Sequence, residues 1–426
     1  MMEIVVNDKS LLDCFEHFNK LKKTKIAVGV SGGIDSLSLV LLLNIWAKKY
    51  NSEIFAITVD HKLREESTEE AEYVHKICEQ NGINHTILTW NEEKPLSNIE
   101  AVAREKRYNL ISEYCKDNNI KYLCVAHHLE DQAETFFIRL FRGSGIDGLS
   151  SMAEETNLFG LNIIRPFLHI HKSQLKQFLL DNKIEWVEDS SNSDDKYLRN
   201  KIRNFLNSFE NKEEITTRIG FAVNEITKCK NFIEKQIQEV EDDILDFSSF
   251  GMCLINTNNL LSIDEDLSLR LLAKTVMKIS GNIYKPRLVK LTRLYNEIKE
   301  SFLNENNLKY TFYGCIFEKY DTEKIVVYRE YNSIGEDIKL EYNKEVIWDN
   351  RFKIKLIKPM ENMTITHVKE GEFNKVLESI RLFDFSKYKE LKLIKGIEKN
   401  VFYTLPIAKH NDKYLFDYFY VKMEKI

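Results

Sequence analysis

The chain has 426 residues, long for a single core, and a composition of 43% hydrophobic and 30% charged residues that suits an ordinary globular protein of two or three domains. A formal net charge of −5 argues against a globally basic nucleic-acid binder. The longest apolar run, near 37–46, is too short for a bilayer, the first nine residues lack a signal-peptide core, and none of the seven cysteines forms a Cys-x-x-Cys pair, so the expectation is a cytoplasmic protein without a disulfide framework, zinc site or iron–sulfur site.

The apolar run at 25–30 predicts a buried strand. It leads into Ser31-Gly32-Gly33-Ile34-Asp35-Ser36 and then a Leu-rich stretch that predicts a buried helix over 35–49. A Ser-Gly-Gly turn between strand and helix lets backbone N–H groups face an anion, and the helix N-terminus adds its partial positive charge. Ser36 can bond an oxygen or cap the helix; Asp35 can hold magnesium or cap it. No Gly-Lys-Ser/Thr follows, so this is not a Walker A loop and its phosphate-gripping lysine is missing. A turn that merely joins strand to helix is the plain alternative.

Further strands are expected at 53–60, 85–90, 121–127 and 161–165, and helices over 67–81, 98–118, 129–141 and 172–182, with a capping-box form opening at Ser67. This alternation predicts a doubly wound parallel sheet with helices on both faces. Ligands of such sheets bind at the carboxyl ends of the strands, where the 31–36 loop, Asp60-His61 and His127-His128 all fall.

Between 98 and 108, Glu100, Arg104 and Arg107 share helical spacing. Glu100 and Arg104 can simply pair, or a guanidinium can contact phosphate and stabilise charge as pyrophosphate leaves. In the next block, from His127 to Thr135, Asp131 and Glu134 share a face of the first helical turn. They can hold magnesium, grip an ammonium group, or form an ordinary acidic helix start. Arg142 stands beside a loop with Gly143, Gly145 and Gly148 and suits a phosphate or RNA contact, unless the loop is only a helix-ending turn. After a polar loop at 188–197, Arg199 and Arg203 lie four apart on a helix, as a second anion or RNA contact or as plain surface.

From 211 the pattern changes. A long connecting helix is expected over 213–247, amphipathic helices over 267–279 and 285–300, and strand-like segments at 309–317 and 324–329. Residues 267–299 carry eight basic residues against Glu297 alone, a local charge of +7. Arg270, Lys274, Arg287, Lys290 and Arg293 can therefore attract a phosphate backbone, or line a solvated helix face. Strand-like 352–357 and aromatic-rich 414–421 suggest a small mixed domain at the end, giving domains at 1–210, 211–335 and 336–426.

Taken together, SGGIDS, DHKLR at 60–64, NIEAVAREKRY at 98–108, AHHLEDQAETFFIRLFRGSGIDGLSSM at 126–152, RPFL at 165–168 and EDSSNSDDKYLRNKIR at 188–203 resemble the motifs of the tRNA(Ile)-lysidine synthetase family, within the pyrophosphate-loop ATP-pyrophosphatase group. The motifs span most of 25–205; beyond them the likeness is one of architecture, with the helices carrying Arg270 to Arg293 similar to a middle tRNA-binding module and 386–416 similar to a C-terminal domain. The resemblance implies an α/β protein with an N-terminal doubly wound parallel sheet like that of adenine nucleotide alpha hydrolases, a mainly helical middle domain and a small mixed α/β C-terminal domain. It implies adenylation by ATP of the C2 oxygen of the wobble cytidine in a CAU-anticodon isoleucine tRNA, then attack by the side-chain amine of L-lysine with loss of AMP.

On that resemblance, ATP is expected at Ser31, Gly32, Gly33, Ile34, Asp35, Ser36, Asp60 and His127, and Mg2+ at Asp35 and Asp131. Asp35, Arg104, Arg107, Asp131 and Glu134 are the expected catalytic set, and Arg142, Arg199, Arg203, Arg270, Lys274, Arg287, Lys290 and Arg293 the expected tRNA contacts. No membrane partner is expected, and a homodimer is left open. Two rivals remain: a tRNA thiolase of the same group, disfavoured by the lack of a Cys-x-x-Cys pair, and a non-catalytic tRNA-binding protein, disfavoured by the intact SGGIDS loop and the carboxylates.

Overall fold

The computed structural model describes residues 4–62, 67–91, 99–187, 198–248, 251–282, 284–304, 306–369, 371–372, 400–401, 403–411, 413–415 and 421–425, with no side-chain detail at 99–101, 413–415 and 421–425. They form two compact units, Met1–Asn231 and Phe232–Ile426.

In the first unit, six strands form one sheet: β1 (Lys25–Gly29), β2 (Glu53–Asp60), β3 (Asn84–Thr89), β4 (Tyr122–Cys124), β5 (Glu155–Leu158) and β6 (Leu161–Ile164). Their order is β3-β2-β1-β4-β6-β5, all parallel except β5, which pairs antiparallel with β6. Alternation along β1 and β2 serves two cores. Ile26, Val28, Ile54 and Ala56 face one side, whereas Ala27 and Ile57 face the other.

The first face is covered by α1 (Ser10–Asp13), α2 (Ile34–Lys49), α3 (Ser67–Gln80) and α7 (Lys172–Asp181). Helix α2 is buried nearly all round through Leu37, Leu39 to Leu43 and Trp46, as its unbroken apolar sequence requires. The opposite face packs on Tyr108, Ile111 and Cys115 of α4 (Ile99–Asp117). Helix α5 (Leu129–Phe141), the short α6 (Ile146–Leu149), α8 (Leu198–Asn207) and α9 (Lys212–Ile244), which belongs to the second unit from Phe232 on, follow in chain order. Ala133 of α5 and Ile202 and Leu206 of α8 make a small core, flanked by Ile215 and Ile219 of α9.

The chain moves outward from β1 through α2 to β2, while β4 pairs with the other side of β1. The strand order therefore reverses between β1 and β4, and the loops after them part to open a crevice at the carboxyl end of the sheet.

In the second unit, β7 (Leu245–Phe247), β8 (Cys253–Asn256), β9 (Lys309–Phe312), β10 (Cys315–Lys319) and β11 (Lys324–Arg329) form an antiparallel sheet of order β7-β8-β11-β10-β9. Helices α10 (Thr257–Ser262), α11 (Glu265–Ser280) and α12 (Leu288–Leu303) share its core. The single strand expected at 309–317 is a hairpin. Tyr313 and Gly314 both take positive φ, the requirement of a tight two-residue turn. The long helix expected over 213–247 stops at Ile244, where Leu245–Phe247 joins the sheet.

Two small sheets complete the unit. One contains β12 (Ile338–Lys339), β15 (Met363–Thr366), β16 (Ile407–His410) and β17 (Lys413–Leu415); the other contains β13 (Glu345–Trp348), β14 (Phe352–Leu356) and β18 (Val421–Lys425). The position 335/336 falls within this unit, not between compact bodies. Asp349 accepts from Arg329 Nε and Nη2 at 3.0 and 2.9 Å, from Arg351 Nε at 2.6 Å and from Gly335 N at 3.0 Å. Gly281, at the left-handed end of α11, lies against the backbone of Asp349 and Asn350, where a Cβ would come within 2.9 Å of the Asp349 carbonyl oxygen.

Candidate active site

The loop after β1 is built by its own small residues. Gly32 takes φ +83°, and a Cβ there would meet Val187 and Val74 at 3.2 and 3.3 Å. Val187 N donates to Gly32 O at 2.9 Å. Ser36 Oγ accepts from Ser31 N at 3.1 Å and donates to Gly33 O at 3.2 Å, which closes the turn. Thr58 Oγ1 donates to Val30 O at 2.9 Å and ties the loop's start to β2. Gly33 caps α2, so the first-turn N–H groups of this 16-residue helix face the crevice.

The facing wall starts where β4 ends. His128 caps α5, and its backbone N donates to Asp131 Oδ2 at 3.1 Å. The buried ring of His128 stands among three carboxylates: Nδ1 is 2.9 Å from Glu130 Oε2, and Nε2 is 3.4 Å from Asp131 Oδ2 and 3.6 Å from Asp35 Oδ2. Burial works against its charge, but Asp131, Glu130 and Asp35 outweigh it and raise its pKa. The carboxyl groups shift the opposite way. Against the pull of burial, His128 and Arg199 hold Asp131 below the usual range, and His128 with His171 and Lys172 N hold Glu130 down to about 2. His127, one residue earlier, is pushed down to about 4 by burial, with Arg165, Arg104 and Arg199 opposing Asp131, and its Nδ1 has no hydrogen-bond partner.

Glu130 joins two helix starts, since it also meets His171 Nδ1 at 3.0 Å and accepts from Lys172 N at 3.0 Å. Lys172 opens α7, and its Nζ donates to Asp35 Oδ2 at 3.2 Å. Asp35 Oδ1 is buried without a partner. One turn along α5, the carboxylate of Glu134 is 4% exposed. It accepts from Arg199 Nε at 2.6 Å and Arg203 Nε at 2.7 Å, while Arg199 Nη2 donates to Asp131 Oδ1 at 2.7 Å.

The structure thus brings Ser31, Gly32, Gly33, Ile34, Asp35, Ser36, His127 and Asp131 to one crevice. The other expected residues have different company. Asp60 is buried at the end of β2 and accepts from Lys62 N, Ser67 Oγ and Thr68 Oγ1 at 2.8, 2.7 and 2.9 Å, so its carboxylate ties the end of β2 to the start of α3. Arg104 and Arg107 are exposed on α4, with Arg104 over the Tyr108 ring at 5.3 Å; the Glu100 side chain lies outside the described residues, as do Arg64 and the 188–197 loop. Arg142 is exposed at the end of α5. The glycine-rich loop after it is braced by Arg139, whose Nη1 donates to Gly148 O and Ser151 O at 2.8 and 2.9 Å.

In the second unit the basic residues do not share one environment. Arg270 pairs with Asp266, Lys274 with Glu241, and Lys278 lies 3.7 Å from the Phe247 ring centre. Arg287, Lys290 and Arg293 are exposed on and beside α12.

Sequence reasoning put His128 at a strand end beside the crevice without a role, and did not single out Glu130, His171 and Lys172. His128 and Glu130 stand within the recognised motif, whose helix-start position was the available signal. Lys172 is 137 residues from Asp35, beyond any local pattern.

Magnesium fits this donor set at one point. The unpartnered Asp35 Oδ1 suits a cation shared with phosphate oxygens, whereas both oxygens of Asp131 already have partners. Among the described residues no cluster of three protein ligands forms a metal cage.

Comparison with known proteins agrees with this chemistry. Residues 7–209 match the ATP_bind_3 PP-loop domain model. The tRNA(Ile)-lysidine synthase of Wolbachia pipientis wMel is 38% identical over 78% of this chain and 77% of its own. Those of the Wolbachia of Brugia malayi and of Orientia tsutsugamushi are 34% and 33% identical, covering 97% and 93% of this chain and 92% and 90% of theirs. A solved U34-tRNA thiolase, NcsA from Methanococcus maripaludis with its [4Fe-4S] cluster, is 19% identical with a TM-score of 0.43, over 51% of this chain and 77% of that one, a likeness too distant to bear on chemistry. With the loop, the paired histidines and the carboxylates in one crevice and relatives that match nearly end to end, the chain belongs to the tRNA(Ile)-lysidine synthase family.

Proposed function

We propose that the chain uses ATP to attach L-lysine to C2 of the wobble cytidine of a CAU-anticodon isoleucine tRNA, through an adenylated cytidine. The observation that carries this reading is the meeting of the 31–36 loop with His128 and Asp131 where the strand order reverses. Ser31 to Ser36 take the phosphates, helped by the positive end of α2. Asp35, whose buried Oδ1 has no partner in the chain, would hold Mg2+, and the ion would supply charge neutralisation on the phosphates.

A cytidine C2 oxygen is a poor leaving group until AMP is attached, which is why ATP is spent first. Asp131, held ionised by His128 and Arg199, adds the negative charge that attracts the lysine ammonium to this wall, without being its sole ligand. Glu134 backs it through Arg199. Neutral His127, whose buried Nδ1 has no partner in the chain, accepts a hydrogen bond from the incoming amine as its Nε2–H tautomer. Arg104 and Arg107 steer phosphate or the adenylated base. Exposed Arg142, Arg287, Lys290 and Arg293 take tRNA phosphates, joined by Arg199, Arg203, Arg270 and Lys274.

Cys124, at the end of β4, is fully buried, and burial raises its thiol, so this side chain is a core residue and not a ready nucleophile. We place the reaction in the cytoplasm; among the described residues no helix is long and apolar enough to cross a membrane.

The test is incorporation of radiolabelled lysine into unmodified CAU isoleucine tRNA. ATP-dependent, acid-stable label supports the reading. tRNA-dependent AMP release without label points to another nucleophile, and tight tRNA binding with neither signal points to a binding protein.

A further inference from the structure

The loop at 31–36 has no lysine of its own, since Ile34-Asp35-Ser36 follows its glycines. The fold delivers one from elsewhere. Lys172 is the first residue of α7, and its ammonium reaches Asp35 at the start of α2. We propose that Lys172 is the phosphate-gripping cation of this site, a catalytic residue that binds the β- and γ-phosphate oxygens of ATP and stabilises the departing pyrophosphate. This rests on the reading that the 31–36 loop holds ATP.

Three observations carry the assignment. First, the base of the side chain is fixed. Lys172 N donates to Glu130 Oε2, His171 N donates to Gln174 Oε1 at 3.0 Å, and Ser38 Oγ of α2 donates to Leu175 O at 3.2 Å. Leu175, Phe178 and Leu179 lock α7 into the main core. Second, the head is free to move. The side chain is 48% exposed, and its contact with Asp35 has the surface character that contributes little to stability. Third, the charge is on the wrong end of its helix. A cation in the first turn opposes the helix dipole, a local cost that an anionic ligand removes.

Asp35 holds the cation beside the loop. Lys172 and His128 share Asp35 Oδ2, while Oδ1 is left open. When ATP arrives, the ammonium passes from Asp35 to a phosphate oxygen within the swing of one flexible stem. In the adenylation step the cytidine C2 oxygen bonds to the α-phosphorus. The bond from that phosphorus to the bridging oxygen breaks, and its electron pair leaves on pyrophosphate. Lys172 keeps its proton throughout and faces the charge that grows there.

The test uses the full chain with unmodified CAU isoleucine tRNA. Lys172→Ala, Lys172→Arg and Ser36→Ala are compared for ATP KM, lysine KM, kcat, AMP release and melting temperature. Expected for Lys172→Ala is a loss of roughly 10²-fold in kcat/KM for ATP, with lysine KM within about twofold and the melting temperature held. Lys172→Arg should recover most of the loss. If Lys172→Ala keeps wild-type ATP kinetics while Ser36→Ala does not, the Lys172 assignment is wrong and the loop reading stands. If neither variant changes ATP kinetics, both fall. If Lys172→Ala loses ATP and lysine kinetics together with melting temperature and Lys172→Arg restores none of it, the residue is merely structural and the assignment is also overturned.

Discussion

The buried carboxylate of Glu134 and its two arginines should respond unequally to loss of charge. Glu134 is 4% exposed, whereas the side chains of Arg199 and Arg203 are 40% and 35% exposed. Glu134→Gln removes two charge-assisted bonds, each worth about 1.5–3 kcal/mol when fully buried. Both guanidinium groups reach water, and Arg199 keeps Asp131, so rehydration should cut the net cost to about 1–2 kcal/mol. Replacing both arginines with Met keeps the apolar stems but strands a carboxylate with almost no access to water. That costs about 3–5 kcal/mol. The assay is hydrogen exchange of the full-length variants, read on peptides from Leu129–Phe141 and Leu198–Asn207, the helices that share the Ala133, Ile202 and Leu206 core. The double arginine variant should exchange faster than Glu134→Gln by roughly two orders of magnitude. Equal protection in the two variants would refute the argument from burial.

His127 and His128 should titrate in opposite directions. Burial pushes His127 down to about 4, so the unfolded chain takes this proton first and stability falls as pH drops from about 6.5 toward 4. His128 is raised, so its contribution is full below about 6.5 and is lost as pH rises through its folded pKa. Ring nitrogen shifts measured by NMR should show neutral His127 beside protonated His128 at pH 6.5; a neutral His128 at that pH contradicts the carboxylate cage. Gly32→Ala should cost about 2–4 kcal/mol, from a left-handed backbone that alanine disfavours and a Cβ pressed on Val187 and Val74. Denaturant midpoints and ATP KM measured on the same variant should shift together, and an unchanged midpoint would mean that the loop relaxes freely.

The elements most legible in the sequence were those with both a strong period and a sharp boundary. Strand β2 and helix α5 match their expected ranges end to end, because Asp60 and Phe141 are followed by clear breaks in pattern. Strand β4 is shorter than expected because its apolar run continues past the last ladder pair toward the crevice. The edge strand β5 was invisible: Glu155 to Leu158 has too few apolar residues to signal a strand, and only pairing with β6 makes it one. The site follows the same rule. Groups contiguous in sequence, such as Ser31 to Ser36 or Asp131 with Glu134, announce themselves by spacing. The partners of Asp131 and Glu134 lie 65 to 69 residues away on α8, and no local pattern says that Arg199 and Arg203 turn inward to carboxylates. Nor does sequence alone say which of two adjacent histidines is caged by acids and which stays neutral.

The Asp349 hub bears on where this protein can be divided. Arg329 ends β11, yet its carboxylate partner lies 20 residues further on, and Arg351, buried beside it, also donates to Thr404 O at 2.6 Å. A chain ending at 335 would keep the five-stranded sheet but lose the counter-charge of one of its own strands. The residues after 335 alone would keep Asp349 and Arg351 while losing Arg329 and the helix end at Gly281 that their backbone packs against. Each half would lose contacts that the other supplies, so a cut at 335/336 should yield two fragments that refold together and aggregate apart.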